Sequence, residues 1–168
     1  LDFGLQYLRD NPPEIVIIID ADCRVAQSTI ELLATACRAS ERPVQALDLM
    51  ISPPNSTIQY HVAEFAWRVK NWVRPLGLSV LRLPCQLMGT GMAFPWTVIG
   101  SLNVSSDSVV EDLELGIKLT IAGRPPLFCP AARVTSQFPP SHEGANSQRE
   151  RWEHGHIHMI FKMVPRLF

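Results

Sequence analysis

The sequence runs to 168 residues, 46% of them hydrophobic and 18% charged, with a formal net charge of −1. That balance excludes a disordered tail, which needs low hydrophobicity and high net charge. It also excludes the strongly basic surface by which nucleic-acid binders are usually known. The length is that of about one domain. Mean hydropathy is +0.08, high for a wholly soluble domain. Yet no stretch reaches the roughly 20 apolar residues that span a bilayer, and the most apolar region, 76–100, is broken by Arg82, Pro84 and Gln86. The four cysteines, Cys23, Cys37, Cys85 and Cys129, include no CxxC pair. Neither a structural zinc site nor a disulfide framework is therefore expected, and a reducing compartment fits.

In chain order, Phe3 to Leu8 reads as the end of an amphipathic helix closed by Asn11-Pro12-Pro13. A helix at the first residue, and Leu rather than Met at position 1, predict that this is part of a longer chain. Ile15 to Ile19 is an apolar run that predicts a buried, central strand in parallel pairing. Asp20-Ala21-Asp22 follows. Ser28-Thr29-Ile30-Glu31 is a capping-box pattern opening a helix to about Ser40, with Pro43 beyond it. Val44 to Met50 predicts a second strand. Thr57 to Val73 predicts a long amphipathic helix that stops before Pro75. Residues 76–97 are punctuated by Gly and Pro and carry Gly89-Thr90-Gly91. A helix from about Val110 ends at Gly123-Arg124-Pro125-Pro126, Leu127 to Val134 is a strand, and Thr135 to Asn146 is a loop. A last helix from about Ser147 contains Gln148, Arg151 and Trp152. Strands alternating with helices make this an α/β domain.

Five clusters carry candidate chemistry. Asp20 and Asp22 lie at the carboxyl end of a strand, where open α/β sheets bind ligands. A carboxylate pair suits Mg²⁺ or Mn²⁺, hard ions often shared with substrate phosphates; the plainer alternative is a turn cap beside a solvated strand end. Glu111 and Asp112 open a helix, where the dipole favours acids; either capping or a general base explains them. Gln148, Arg151 and Trp152 share a helix face at i, i+3 and i+4. Arginine matches phosphate geometry and an indole offers a surface for a sugar ring, although a core tryptophan among solvated arginines has the same pattern. Gly89-Thr90-Gly91 allows close backbone approach but is too short for a dinucleotide fingerprint. His154 and His158 stand at i and i+4, a zinc spacing, but with His156 they read mainly as a polar helix face.

Taken together and in this order, Asp20-Ala21-Asp22, Gly89-Thr90-Gly91, Val110-Glu111-Asp112 and Gln148-x-x-Arg151-Trp152 resemble the family 2 glycosyltransferases, most closely the membrane-embedded, cellulose-synthase-like branch with its D-x-D, E-D and Q-x-x-R-W motifs. The resemblance covers roughly Ile15 to Gly155. It implies a GT-A (Rossmann-like) α/β fold, a mixed, mainly parallel sheet flanked by helices, and an inverting transfer from a nucleotide-sugar, expected to be a UDP-sugar, to a polysaccharide or glycolipid acceptor. By position, Asp20 and Asp22 would hold Mg²⁺ or Mn²⁺ on the donor diphosphate, with Asp22 favoured as the direct ligand. Asp112 would deprotonate the acceptor hydroxyl, with Glu111 positioning it. Gln148 and Arg151 would contact the diphosphate, Trp152 would stack on the acceptor sugar, and Gly89, Thr90 and Gly91 would line the acceptor pocket.

The resemblance also implies a domain across 1–168 that is incomplete at the amino terminus, because the family's nucleoside-binding portion would precede Leu1. Val110 replaces the Thr of many members. The flanking membrane helices would lie outside this sequence, and the apolar tail 157–168 is a candidate interfacial helix or approach to a span. The expectation is a domain on the cytoplasmic side of the cell (inner) membrane, bound there through segments outside this chain, with no nucleic-acid partner. Two alternatives remain: a non-catalytic, glycan- or partner-binding descendant, and a phosphoryl-transfer enzyme using Asp20. The latter resembles phosphatases of the haloacid dehalogenase type, whose Thr or Val two residues past the second Asp is here Arg24, with Val25 one further on.

Overall fold

The alternation of side chains along the first strand explains most of the architecture. In the computed structural model, which describes residues 2–100, 111–139, 144, 150, 153–155, 157, 159 and 161, β1 (Ile15–Ile18) presents Ile15 and Ile17 to one side of the sheet and Val16 and Ile18 to the other. On the first side they join Leu33 and Cys37 of α2 (Thr29–Ser40), with Val44 and Ala46 of β3 (Val44–Ile51) and Ala93 of β4 (Met92–Pro95). On the second they meet Met92 and Phe94 of β4, Leu5 of α1 (Asp2–Leu8), Val98 and Ile99 of α5 (Trp96–Ile99), and Leu115 and Leu119 of α6 (Glu111–Ile121). A sheet with a core on each side gives a helix–sheet–helix sandwich.

Among the described residues the sheet has five strands in the order β1-β4-β3-β5-β2, where β2 is Arg24–Val25 and β5 is Leu127–Gln137. It is mixed. Among the described strands only β3 and β5 pair in parallel, and β1–β4, β3–β4 and β2–β5 are antiparallel. The β3–β5 ladder shifts register between Ala46 and Leu47.

Several expectations are corrected. β1 is not a central parallel strand. It lies at the edge of the described sheet, antiparallel to β4. Its double-sided apolar character reflects helices packed over both faces, not strands on both flanks. The capping box at Ser28 does not form. Ser28 has φ 62° and its side chain makes no cap bond. Instead the buried Thr29 hydroxyl donates to the Arg133 carbonyl at 3.0 Å and accepts from the Arg133 N–H at 3.1 Å, so a tertiary contact to β5 replaces the local one. Strand β4 is not marked by the sequence pattern, because Gly89 and Gly91 before it mask its short run. Thr135 to Gln137, expected in a loop, extends β5.

Pro75 does not end the third long helix. α3 (Ile58–Arg68) passes through a π turn (Val69–Val73), closed by a bond from the Arg74 N–H to the Val69 carbonyl, into α4 (Arg74–Val80). Proline clashes with the carbonyl four residues back and lacks an N–H; the five-residue spacing of the π turn relieves both conflicts. The stop of α6 is as expected. Arg124 N–H donates to the Leu119 carbonyl at 2.8 Å and Gly123 N–H to that of Thr120 at 3.1 Å, with Gly123 at φ 75°, which is a Schellman end. All four cysteines are free. Among the described residues no helix is long and apolar enough to cross a membrane.

Candidate active site

Two loops from distant parts of the sequence, the turn after β1 and the segment before β4, meet beside β3. The Asp20-Ala21-Asp22 segment forms a turn after β1, closed by the Cys23 N–H on the Asp20 carbonyl at 3.0 Å. The Asp20 N–H donates to Thr90 Oγ1 at 3.0 Å, and the Cys23 thiol lies 3.4 Å from the same hydroxyl. Thr90 is therefore the clasp between the carboxylate turn and the Gly89-Thr90-Gly91 loop.

The glycine loop is held from below by Gln45, fully buried in β3. Its amide Nε2 donates to the Thr90 carbonyl at 2.8 Å and to that of Ala46 at 2.9 Å, and its Oε1 accepts from the Met88 N–H at 2.9 Å. Gly91 has φ 65°, and a methyl group on it would sit 2.9 Å from both Ala46 Cβ and Val134 Cγ2. Here the backbone itself packs against the sheet, and only glycine fits. A methyl group on Gly89 (φ 87°) would lie 3.6 Å from Asp112 Oδ2, so this loop also borders the first turn of α6.

The electrostatics fit one shared site. Burial, and then the Asp22 and Glu111 carboxylates, raise the Asp20 pKa. Crowded acids of this kind attract a cation. Donor atoms of Asp20, Asp22 and Cys23 lie within 4.8 Å of one another. Two carboxylate oxygens suit a hard divalent ion, while the thiol is a softer ligand. The expected pair thus fits a metal, with Cys23 as an added neighbour.

Behind this cluster stands a group that the motifs of the sequence do not single out. Asp48, buried in β3, accepts from Asn71 Nδ2 at 3.0 Å. Burial pushes its pKa to about 7, against the opposing effects of Asn71, Trp67 and Lys70. Lys70 sits in the π turn with its ammonium 5.0 Å from the Trp67 ring centroid. Burial, and then Arg74, lower its pKa, while the Asp112 and Asp48 carboxylates act the other way. The one sequence signal for this group is a pair of polar residues, Gln45 and Asp48, inside an otherwise apolar strand, where an unpaired polar group is costly.

Gln148, Arg151 and Trp152 lie outside the described residues, as do Val110, His156 and His158. Of that region, Glu150 and residues 153–155 are helical, and the exposed His154 pairs its Nδ1 with the Glu150 carbonyl at 2.9 Å.

The family model for glycosyl transferase family group 2 matches residues 15–167. The chain belongs to this family. Sugar transfer is its general activity, with nucleotide-sugar donors and glycan acceptors, and a divalent cation is generally used. The mixed α/β sheet flanked by helices agrees with a GT-A-like fold. No curated protein matches the chain.

Proposed function

We propose that the domain is an inverting, metal-assisted glycosyltransferase of the cellulose-synthase-like branch, moving a sugar from a UDP-sugar to a polysaccharide or glycolipid acceptor. The observation that carries the reading is the clasp at Thr90. It joins the Asp20-Ala21-Asp22 turn to the glycine loop across 70 residues of sequence, and Gly89 of that loop borders Asp112. Asp20 and Asp22 are the residues to hold the cation, which supplies positive charge to the donor diphosphate.

In this reading the acceptor hydroxyl lies between Gly89 and Asp112. The Asp112 carboxylate takes its proton as the oxygen attacks the anomeric carbon. The new carbon–oxygen bond forms as the bond from the anomeric carbon to the diphosphate breaks, and the electron pair leaves on the diphosphate oxygen. Inversion follows from attack opposite the leaving group. Glu111 positions Asp112. The Asp112 carboxylate acts on Lys70 through space and raises the Lys70 pKa, which brings a cationic group near the base. Gln148 and Arg151 are assigned to the diphosphate, and Trp152 to the acceptor sugar, from the motif alone. Membrane attachment on the cytoplasmic side belongs to the same reading and draws on the apolar tail 157–168.

The test is transfer of labelled sugar from UDP-sugars with Mn²⁺ or Mg²⁺, by the whole protein in membranes and by the 168-residue chain. Asp112→Asn should lower turnover by about 10²–10⁴-fold while leaving donor binding in place. Unchanged turnover removes Asp112 as the base. Metal-dependent donor binding without transfer by the whole protein points instead to a non-catalytic descendant.

A further inference from the structure

The helical run from α3 through the π turn to α4 is inverted in character. Tyr60 and Asn71 are buried toward the sheet. The opposite side carries Val62, Phe65, Val69, Val73, Leu76 and Val80, exposed at 60%, 68%, 43%, 59%, 36% and 81%. Ile58 begins the series, and steps of three or four residues from there to Val80 are those of one continuous helical stripe. Trp72 lies along it at 39% exposure. A soluble surface helix puts such residues inside; an exposed stripe of this extent marks an interaction face.

Charge identifies the occupant. Between positions 52 and 88 the only acid is Glu64, against Arg68, Arg74 and Arg82, a net +2 with the inward-turned Lys70 set aside, in a chain whose total is −1. Glu64 is already engaged by Arg68 at 2.6 Å. Arg74 reaches the neutral Gln86, at 2.6 Å, and Arg82 is exposed at the far end. An apolar helical face with tryptophan and flanking arginines is the pattern of a helix that lies in the plane of an anionic membrane surface.

We infer that this stripe, from Ile58 to Leu83, docks the domain directly on an anionic phospholipid bilayer, with Phe65, Val69 and Val73 inserted among the acyl chains and Arg74 and Arg82 at the headgroups. This rests on the membrane association of the proposed function and deepens it, by giving it a face within this chain. The same helix carries Lys70 and Asn71 on its inner side toward Asp48, so a membrane under the helix fixes the orientation of the site over the lipid.

Vesicle co-sedimentation of the 168-residue chain tests it without any catalysis, so it stands or falls separately from sugar transfer. Wild type should bind phosphatidylcholine vesicles containing phosphatidylglycerol, and salt should weaken the binding. Val62→Ser/Phe65→Ser/Val69→Ser should bind at least about tenfold more weakly, with its circular dichroism and thermal transition retained. Phe65→Ser alone is the milder variant if the triple one does not fold, and should weaken binding measurably. Arg74→Gln/Arg82→Gln should lose the preference for phosphatidylglycerol. The inference is overturned if wild type ignores both vesicle types, or if the serine variants bind as wild type does. It is overturned too if the stripe instead mediates a concentration-dependent dimer that does not bind vesicles.

Discussion

Asp48 shows how a single buried side chain sets a measurable property of the molecule. Its ordinary pKa is 3.8, and burial in β3 raises it to about 7. Between about pH 4 and about pH 7 the folded state therefore holds a proton that the unfolded chain has released. Stability falls as pH rises through that window and levels off above it. In metal-free protein, Asp48→Asn should flatten this slope and gain on the order of a few kcal/mol at pH above about 7. An asparagine keeps the acceptor for Asn71 Nδ2. It also offers a donor to Asn71 Oδ1, which makes no hydrogen bond of good geometry among the described residues. Urea denaturation across that pH range reads the slope. An unchanged slope would show that Asp48 is ionised in the folded protein. Thr90 carries the opposite lesson: one hydroxyl, 5% exposed, joins two motifs through the Asp20 N–H and the Cys23 thiol.

At the scale of elements, the glycine loop and β3 act as one unit. Gln45 bonds both the Met88 N–H and the Thr90 carbonyl, and Ala46 N–H donates to the Gly91 carbonyl at 2.8 Å. Gly91→Ala combines a positive φ with contacts at 2.9 Å to Ala46 and Val134. It should cost about 2–4 kcal/mol, from backbone strain and overpacking together. Chemical denaturation measures it, and a loss under about 0.5 kcal/mol, the scale of an ordinary surface change, would mean that the loop packs elsewhere. The π turn is the other informative element. It lets the chain pass Pro75 without ending the helix and carries Lys70 and Asn71 on its five residues. No periodicity of 3.6 predicts it, because a π turn is stabilised by its tertiary partners and not by its own sequence.

For the whole molecule, the clustered acids couple metal binding to folding. An ion that binds the native arrangement of Asp20 and Asp22, but not the unfolded chain, stabilises by about 2.7 kcal/mol at a concentration 100 times its Kd. Mn²⁺ or Mg²⁺ should therefore raise the thermal transition. Asp20→Asn/Asp22→Asn should abolish the metal-dependent part. Since burial and then repulsion from Asp22 raise the Asp20 pKa, the double variant should also stabilise the metal-free protein. A transition insensitive to both ions would exclude a metal at this turn.

Much is legible in the sequence because local chemistry decides it. The strand at Ile15, the helix from Thr29, the strand from Val44 and the glycine stop after α6 follow from apolar runs, helical spacing and the φ freedom of Gly123. The order of the acidic, glycine and Q-x-x-R-W motifs is enough by itself to point to the family. What the sequence alone does not decide depends on pairing across long separations. β1 lies at the edge of the described sheet and antiparallel because β4, 78 residues later by the Val16–Phe94 register, pairs with it. Gln45, Asp48 and Lys70 belong to the site only because β3 and the π turn converge behind Thr90. The stripe from Ile58 reads as a core face by periodicity alone; only the tertiary structure shows that the sheet takes the other side of the helix and leaves the apolar one outward.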